Sequence, residues 1–206
     1  AATGPITIRN LLTHTAGLGY TIVTKGPLLD AYVKLGITPA SASRKPLPGQ
    51  PNVPTAPSLA EFADRLATLP LMADPGTVWS YSVSLDLLGR IIELASGMPF
   101  DAFLQQRIFA PLGMTSSWFQ VPQSEMKRLT TNYFGAPFGT FPIDPGTDSV
   151  FFDKPAFPFG GAGLVTSPRD YDRFLAMLMG EGAIGDRRVM KVETARLAMS
   201  NLVPAG

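Results

Sequence analysis

Pro75-Gly76-Thr77-Val78-Trp79-Ser80-Tyr81-Ser82 decides how this chain is read. It begins as a Pro-Gly turn, continues through an aromatic approach, and ends on a tyrosine at the mouth of an amphipathic helix. Downstream, Leu85, Leu88, Ile92 and Ala95 recur at helical spacing, Ser84 is placed to cap the helix, Asp86 falls in its first turn, and Gly97 supplies the stop. Two more compact signatures flank this stretch: Leu11-Leu12-Thr13-His14-Thr15-Ala16-Gly17-Leu18 upstream and Gly160-Gly161-Ala162-Gly163-Leu164 downstream.

Further helices are predicted outward from this point. Ser58 and Glu61 have the spacing of a capping box, starting a helix that runs to about Leu69 and stops before Pro70. Phe100 to Phe109 reads as a short helix ended near Pro111. Ser167-Pro168 opens another, carrying Phe174, Leu175 and Leu178 to Gly180. A last helix covers Lys191 to Ser200. Residues 36–57, with Pro39, Pro46, Pro48, Pro51, Pro54 and Pro57, and residues 130–159 read as irregular loops. The second tract has room for one weak hairpin, Thr131–Phe134 with Gly139–Ile143. The expected fold is mostly α with loops and very little strand, in a single domain over 1–206.

Composition excludes several chemistries. Seventeen basic against sixteen acidic residues give no electrostatic case for nucleic acid or an anionic membrane. No apolar run is long enough for a membrane span. The absence of cysteine rules out disulfides, thiol nucleophiles and thiolate metal sites, and one histidine without a carboxylate cluster leaves no metal set; no cofactor is expected. The charged fraction of 16% is low, which suggests that some faces are covered by other polypeptide.

Four groups are candidates for chemistry. His14 lacks the Gly-x-Ser-x-Gly elbow of a Ser-His-Asp hydrolase, so a structural hydrogen-bonding role is expected of it. Gly160 to Gly163 lack the Lys-Ser/Thr of a phosphate loop and read as a turn that permits close backbone packing. Ser124-Glu125-Met126-Lys127 matches Ser-x-x-Lys, yet its polar neighbours put it on the surface, where the ammonium stays protonated and cannot act as a base. Tyr81 is different, because it precedes a helix N-terminus whose free amides and dipole favour negative charge. With cationic neighbours its phenol could serve as a base towards a serine; the competing reading is a packing tyrosine.

The three signatures, in this order, resemble those of the class C β-lactamase-like serine hydrolases, which include β-lactamases, DD-peptidases and family VIII carboxylesterases. Arg90 to Gly97 and Phe109-Ala110-Pro111-Leu112-Gly113-Met114 resemble the stretches that follow in that family, and Asp170-Tyr171 with Phe174 its later segment. The resemblance implies the helical domain of the serine β-lactamase/DD-peptidase-like fold, with most of its sheet missing. It also implies an acyl-enzyme mechanism in which a Ser-x-x-Lys serine attacks an ester or lactam carbonyl and Tyr81 manages protons. That serine and the third motif are expected in remaining segments of the same protein, and these 206 residues alone are expected to be inactive.

Val83 stands where the family usually has asparagine. An amide there can bind the acylamido group of a lactam, whereas valine offers an apolar wall. The resemblance thus implies an esterase on small carboxylic esters, with Val83 and Tyr20 as substrate-binding residues. A β-lactamase or DD-peptidase and a non-catalytic binding module are the alternatives. Phe134, Phe138 and Phe159 are equally consistent with a cleft wall or with packing.

Overall fold

The computed structural model describes residues 2–44 and 55–203; Pro46, Pro48, Pro51 and Pro54 of the first proline-rich tract lie outside them. Eight α-helices are present among the described residues: α1 (Ile8–Leu12), α2 (Pro27–Lys34), α3 (Leu59–Ala67), α4 (Ser84–Ser96), α5 (Phe100–Leu104), α6 (Ala110–Leu112), α7 (Pro168–Met179) and α8 (Val192–Ala198). Strands are short and form three separate antiparallel pairs. These are β1 (Ser117–Trp118) with β4 (Val165–Thr166), β2 (Asn132–Ala136) with β3 (Gly139–Asp144), and β5 (Ala183–Ile184) with β6 (Arg187–Arg188). Among the described residues no helix is long and apolar enough to cross a membrane, and no His/Asp/Glu group could hold a metal.

Side-chain caps open three of the eight α-helices, α1, α3 and α7. Ser58 accepts from the Glu61 amide, as its spacing predicts, but the Glu61 carboxylate turns outward to Arg65 at 2.9 Å instead of back to the cap. The complete capping box lies at Thr7 and Asn10, opening α1. Ser167 accepts from Asp170, with Pro168 first in α7. At α4 the expectation fails by one residue. Val83 is the N-cap, and the Ser84 hydroxyl is bonded at 2.6 Å to Ser82 instead of to the helix.

The predicted helix from Phe100 does not stop at Pro111. It passes through a π-turn at Gln105–Phe109 and continues as α6 to Gly113, which closes it with φ +66°. A proline at 111 cannot donate to the Arg107 carbonyl, and its ring crowds that oxygen. The widened turn just before it relieves the conflict. α1 and α2 are additions to the predicted set; α1 is only five residues long, and α2 starts at a Gly-Pro pair that reads locally as a turn.

Two apolar clusters carry the packing. The smaller joins Phe109, Leu112, Met114 and Met177, seating α7 against the helix ending at Gly113. The larger gathers Leu11, Leu18, Tyr20, Tyr32, Ile37, Leu59, Phe62, Leu66, Val83, Phe100, Phe157 and Phe159 from α1, α2, α3, α5 and the loops between them, with Leu87, Leu88, Ile91 and Ile92 of α4 packed against it. Burying a side chain of this size contributes about 1.5–3 kcal/mol relative to exposure, so this cluster fixes where the N-terminus of α4 sits.

Candidate active site

Residues 14–19, at the end of the first signature, and residues 72–83, which include the Pro75–Ser82 stretch, are fastened to each other by main-chain hydrogen bonds that belong to no helix or sheet. The carbonyls of His14, Thr15, Gly17 and Gly19 accept from the amides of Ser80 (2.9 Å), Gly76 (2.7 Å), Met72 (2.7 Å) and Val83 (3.1 Å). Gly17 makes this approach possible: at φ +78°, a β-carbon there would lie 2.0 Å from the Ala73 carbonyl oxygen.

Tyr81 emerges from this seam two residues before the N-cap of α4 and is 37% exposed. Its ring packs against His14, with centroids 5.0 Å apart, and Tyr20, at 5.3 Å. Tyr20 is 5% exposed and forms the floor beneath it. Burial, then the charge of Asp86, then Tyr81 push the Tyr20 phenol far above its usual range. That direction favours the protonated hydroxyl at Tyr20, and of the two phenols Tyr81 is the one open to solvent. Val83 sits within the core, wholly buried, and its amide ties α4 to Gly19. The three candidate residues thus lie on one seam, but only Tyr81 presents a surface; Tyr20 and Val83 face protein.

Asp86 lies beside the candidate site, and the sequence shows it only as a favourable first-turn charge. Almost fully buried, it accepts from the Gly161 amide at 2.9 Å, latching the Gly160–Gly163 loop onto α4. The loop comes this close because it lacks side chains: a β-carbon on Gly160 would lie 2.1 Å from the Leu85 carbonyl oxygen. Burial raises the Asp86 carboxyl above its ordinary 3.8, partly offset by the amides of Gly161 and Gly160. A carboxyl raised in the fold contributes stability that is full below the unfolded value and is lost as pH rises through the folded one. Urea melts of wild type and Asp86→Asn between pH 4 and 8 should therefore show the difference in unfolding free energy moving in favour of Asn as pH rises. A difference independent of pH would contradict this.

The formal Ser-x-x-Lys match falls on a 3₁₀ turn, Gln123–Arg128, with Ser124 and Lys127 both exposed, as its neighbours suggest. Phe159 is in the core, whereas Phe134 and Phe138 are exposed on the β2–β3 hairpin.

Comparison with known proteins gives the family and the fold. The esterase EstB of Burkholderia gladioli is 33% identical over 185 residues, covering 82% of this chain and 43% of its own length. Monacolin J acid methylbutanoyltransferase of Aspergillus terreus is 32% identical over 180 residues, covering 85% of this chain and 38% of its own. Among solved structures, EstCE1, described as a hydrolase with promiscuous acyltransferase activity, superimposes with a TM-score of 0.72 at 27% identity over 94% of this chain and 50% of that one. The chain spans half or less of the length of these proteins, and its helices and small sheets match part of the β-lactamase/DD-peptidase fold. The profile of the family described as Beta-lactamase matches residues 1–205, and the chain belongs to that family.

Proposed function

We propose that the whole protein of which these residues are part is a serine hydrolase that transfers acyl groups from small carboxylic esters through an acyl-enzyme. The observation that carries this reading is Tyr81: a solvent-open phenol at the approach to a helix N-terminus, braced by two rings, in a chain of the β-lactamase family. Tyr81 relays the proton between the nucleophilic hydroxyl and the leaving alcohol. The serine comes from polypeptide outside these residues, since Ser124 and Lys127 lie exposed on a surface turn. Tyr20 and Val83 act from behind, setting the depth and apolarity of the acyl side of the site.

The names of the relatives include both an esterase and an acyltransferase. The two activities share one acyl-enzyme and differ in whether water or an alcohol accepts the acyl group. The test is a p-nitrophenyl butyrate burst with the full-length protein, followed by mapping of the acylated peptide. The expected result is one butyryl adduct on a serine outside residues 1–206. An adduct on Ser124, or no burst, would overturn the reading. Covalent labelling by fluorescent penicillin in place of the ester would favour the lactam alternative.

A further inference from the structure

His14 makes three hydrogen-bonding contacts with the residues on either side of Tyr81, and two ring contacts besides. Its carbonyl accepts from the Ser80 amide at 2.9 Å. Its Nδ1 lies 3.2 Å from the Ser82 amide, which donates to it, and 3.0 Å from the Ser82 hydroxyl. Its ring meets Tyr81 on one side and Trp79, at 6.3 Å and nearly edge-on, on the other. Every residue from 79 to 82 thus touches this one side chain or its carbonyl. His14 does so at φ +55°, one of two non-glycine residues with positive φ among those described. That conformation costs about 1 kcal/mol and persists where the surroundings hold it.

The hydrogen-bond directions follow from one fixed donor. The Ser82 amide can only donate, so Nδ1 carries no proton and the imidazole is neutral, with its hydrogen on Nε2. The Ser82 hydroxyl must then also donate to Nδ1, and the Ser84 hydroxyl donates to Ser82 Oγ at 2.6 Å. The chain of donors runs from the first residue of α4 to the imidazole. It fixes the backbone on both sides of Tyr81 and leaves the Tyr81 phenol outside the network.

We propose that His14 is a positioning residue for Tyr81, its unprotonated Nδ1 and its carbonyl clamping Ser80 and Ser82 so that the phenol between them is held in one orientation. This rests on the proposed role of Tyr81. It goes further by making the Thr-His-Thr signature part of the proton-transfer machinery, not only of the core. The ionisable groups on the elements around His14 are Arg9 of α1, Asp74 of the 74–77 turn, Tyr81, Tyr20 and Asp86. None of these shifts the imidazole, which burial holds below its ordinary 6.5, consistent with the neutral form that the clamp requires. Protonation would turn Nδ1 into a donor facing the Ser82 amide, so the clamp opens on acidification.

The experiment has two arms. His14 is the only histidine of residues 1–206, and in the ¹⁵N-histidine-labelled full-length protein its signals are those lost in His14→Asn. The expected result at pH 7.5 is a bare Nδ1 and a protonated Nε2; a protonated Nδ1 would overturn the proposal. In the full-length protein, His14→Ala should lower kcat for p-nitrophenyl butyrate by about 10- to 100-fold, the scale of a misplaced catalytic group, with KM little changed. His14→Asn tolerates the left-handed backbone and puts an amide oxygen near the place of Nδ1, so it should recover most of that loss and remove the His14 part of the acid limb of the kcat–pH profile. Equal losses in Ala and Asn, or an unaltered acid limb in Asn, would overturn the proposal. Should Tyr81→Phe leave turnover intact, the functional reading fails; should it abolish turnover while His14→Ala keeps the wild-type rate, only this inference fails.

Discussion

Replacing Tyr81 by phenylalanine in the full-length protein is expected to lower ester turnover by about 100-fold or more, a typical loss when a positioned acid–base group is removed. The fold should scarcely register the change. Phenylalanine keeps the ring contacts with His14 and Tyr20, and the hydroxyl it lacks is not part of the network joining His14, Ser82 and Ser84. Surface substitutions away from buried polar networks usually stay within about 0.5 kcal/mol, which for a domain of this size moves Tm by about 1–2 °C. Turnover at the wild-type rate with an unchanged melting curve would demote Tyr81 to a packing residue. The neighbouring phenol gives the internal comparison. Burial and Asp86 keep Tyr20 protonated, so Tyr20→Phe should act through packing and cost far less turnover than Tyr81→Phe.

Much of the architecture is visible in the sequence, because its signals are local. Ser58, Ser167-Pro168, Gly97 and Gly180 punctuate helices within a turn of where the backbone starts or stops, and the uncharged, Gly- and Pro-containing tract after Thr131 yields the expected hairpin. The discrepancies arise where a nearby side chain competes. Ser84 reads as a cap until Ser82, itself held by His14, takes its hydroxyl. Pro111 reads as a terminator until a π-turn makes room for it.

The site is legible one motif at a time, but its assembly is not. Residues 14–19 and 72–83 meet through main-chain hydrogen bonds that leave no side-chain periodicity to read. Asp86 and Gly161 are 75 positions apart, and only the run of glycines hints that another backbone comes close. The sequence marks Val83 as a substituted position within a motif, and the structure shows that the residue is wholly buried and presents no surface of its own.

The seam that carries Tyr81 should also be far more sensitive to an added β-carbon than an open helix C-cap, and Gly17→Ala tests this against Gly97→Ala. Both glycines have positive φ, +78° and +68°, so alanine pays about 1–2 kcal/mol of left-handed strain at either. At Gly97, the C-cap of α4, a β-carbon meets nothing within 4 Å, and that strain is the whole cost. At Gly17 the β-carbon would lie 2.0 Å from the Ala73 oxygen, and the Met72 amide next to it donates to the Gly17 carbonyl. The segments cannot separate without breaking the bonds that hold 72–83 in place. Adding the usual overpacking cost brings the expected loss to about 4 kcal/mol, or about 8–16 °C in Tm, against about 2–8 °C for Gly97→Ala. Because the obstructing atom is main-chain oxygen, Ala73→Gly should fail to rescue Gly17→Ala. Equal melting temperatures for the two alanine variants, or rescue by the second glycine, would mean that the two signatures are not pressed together as described.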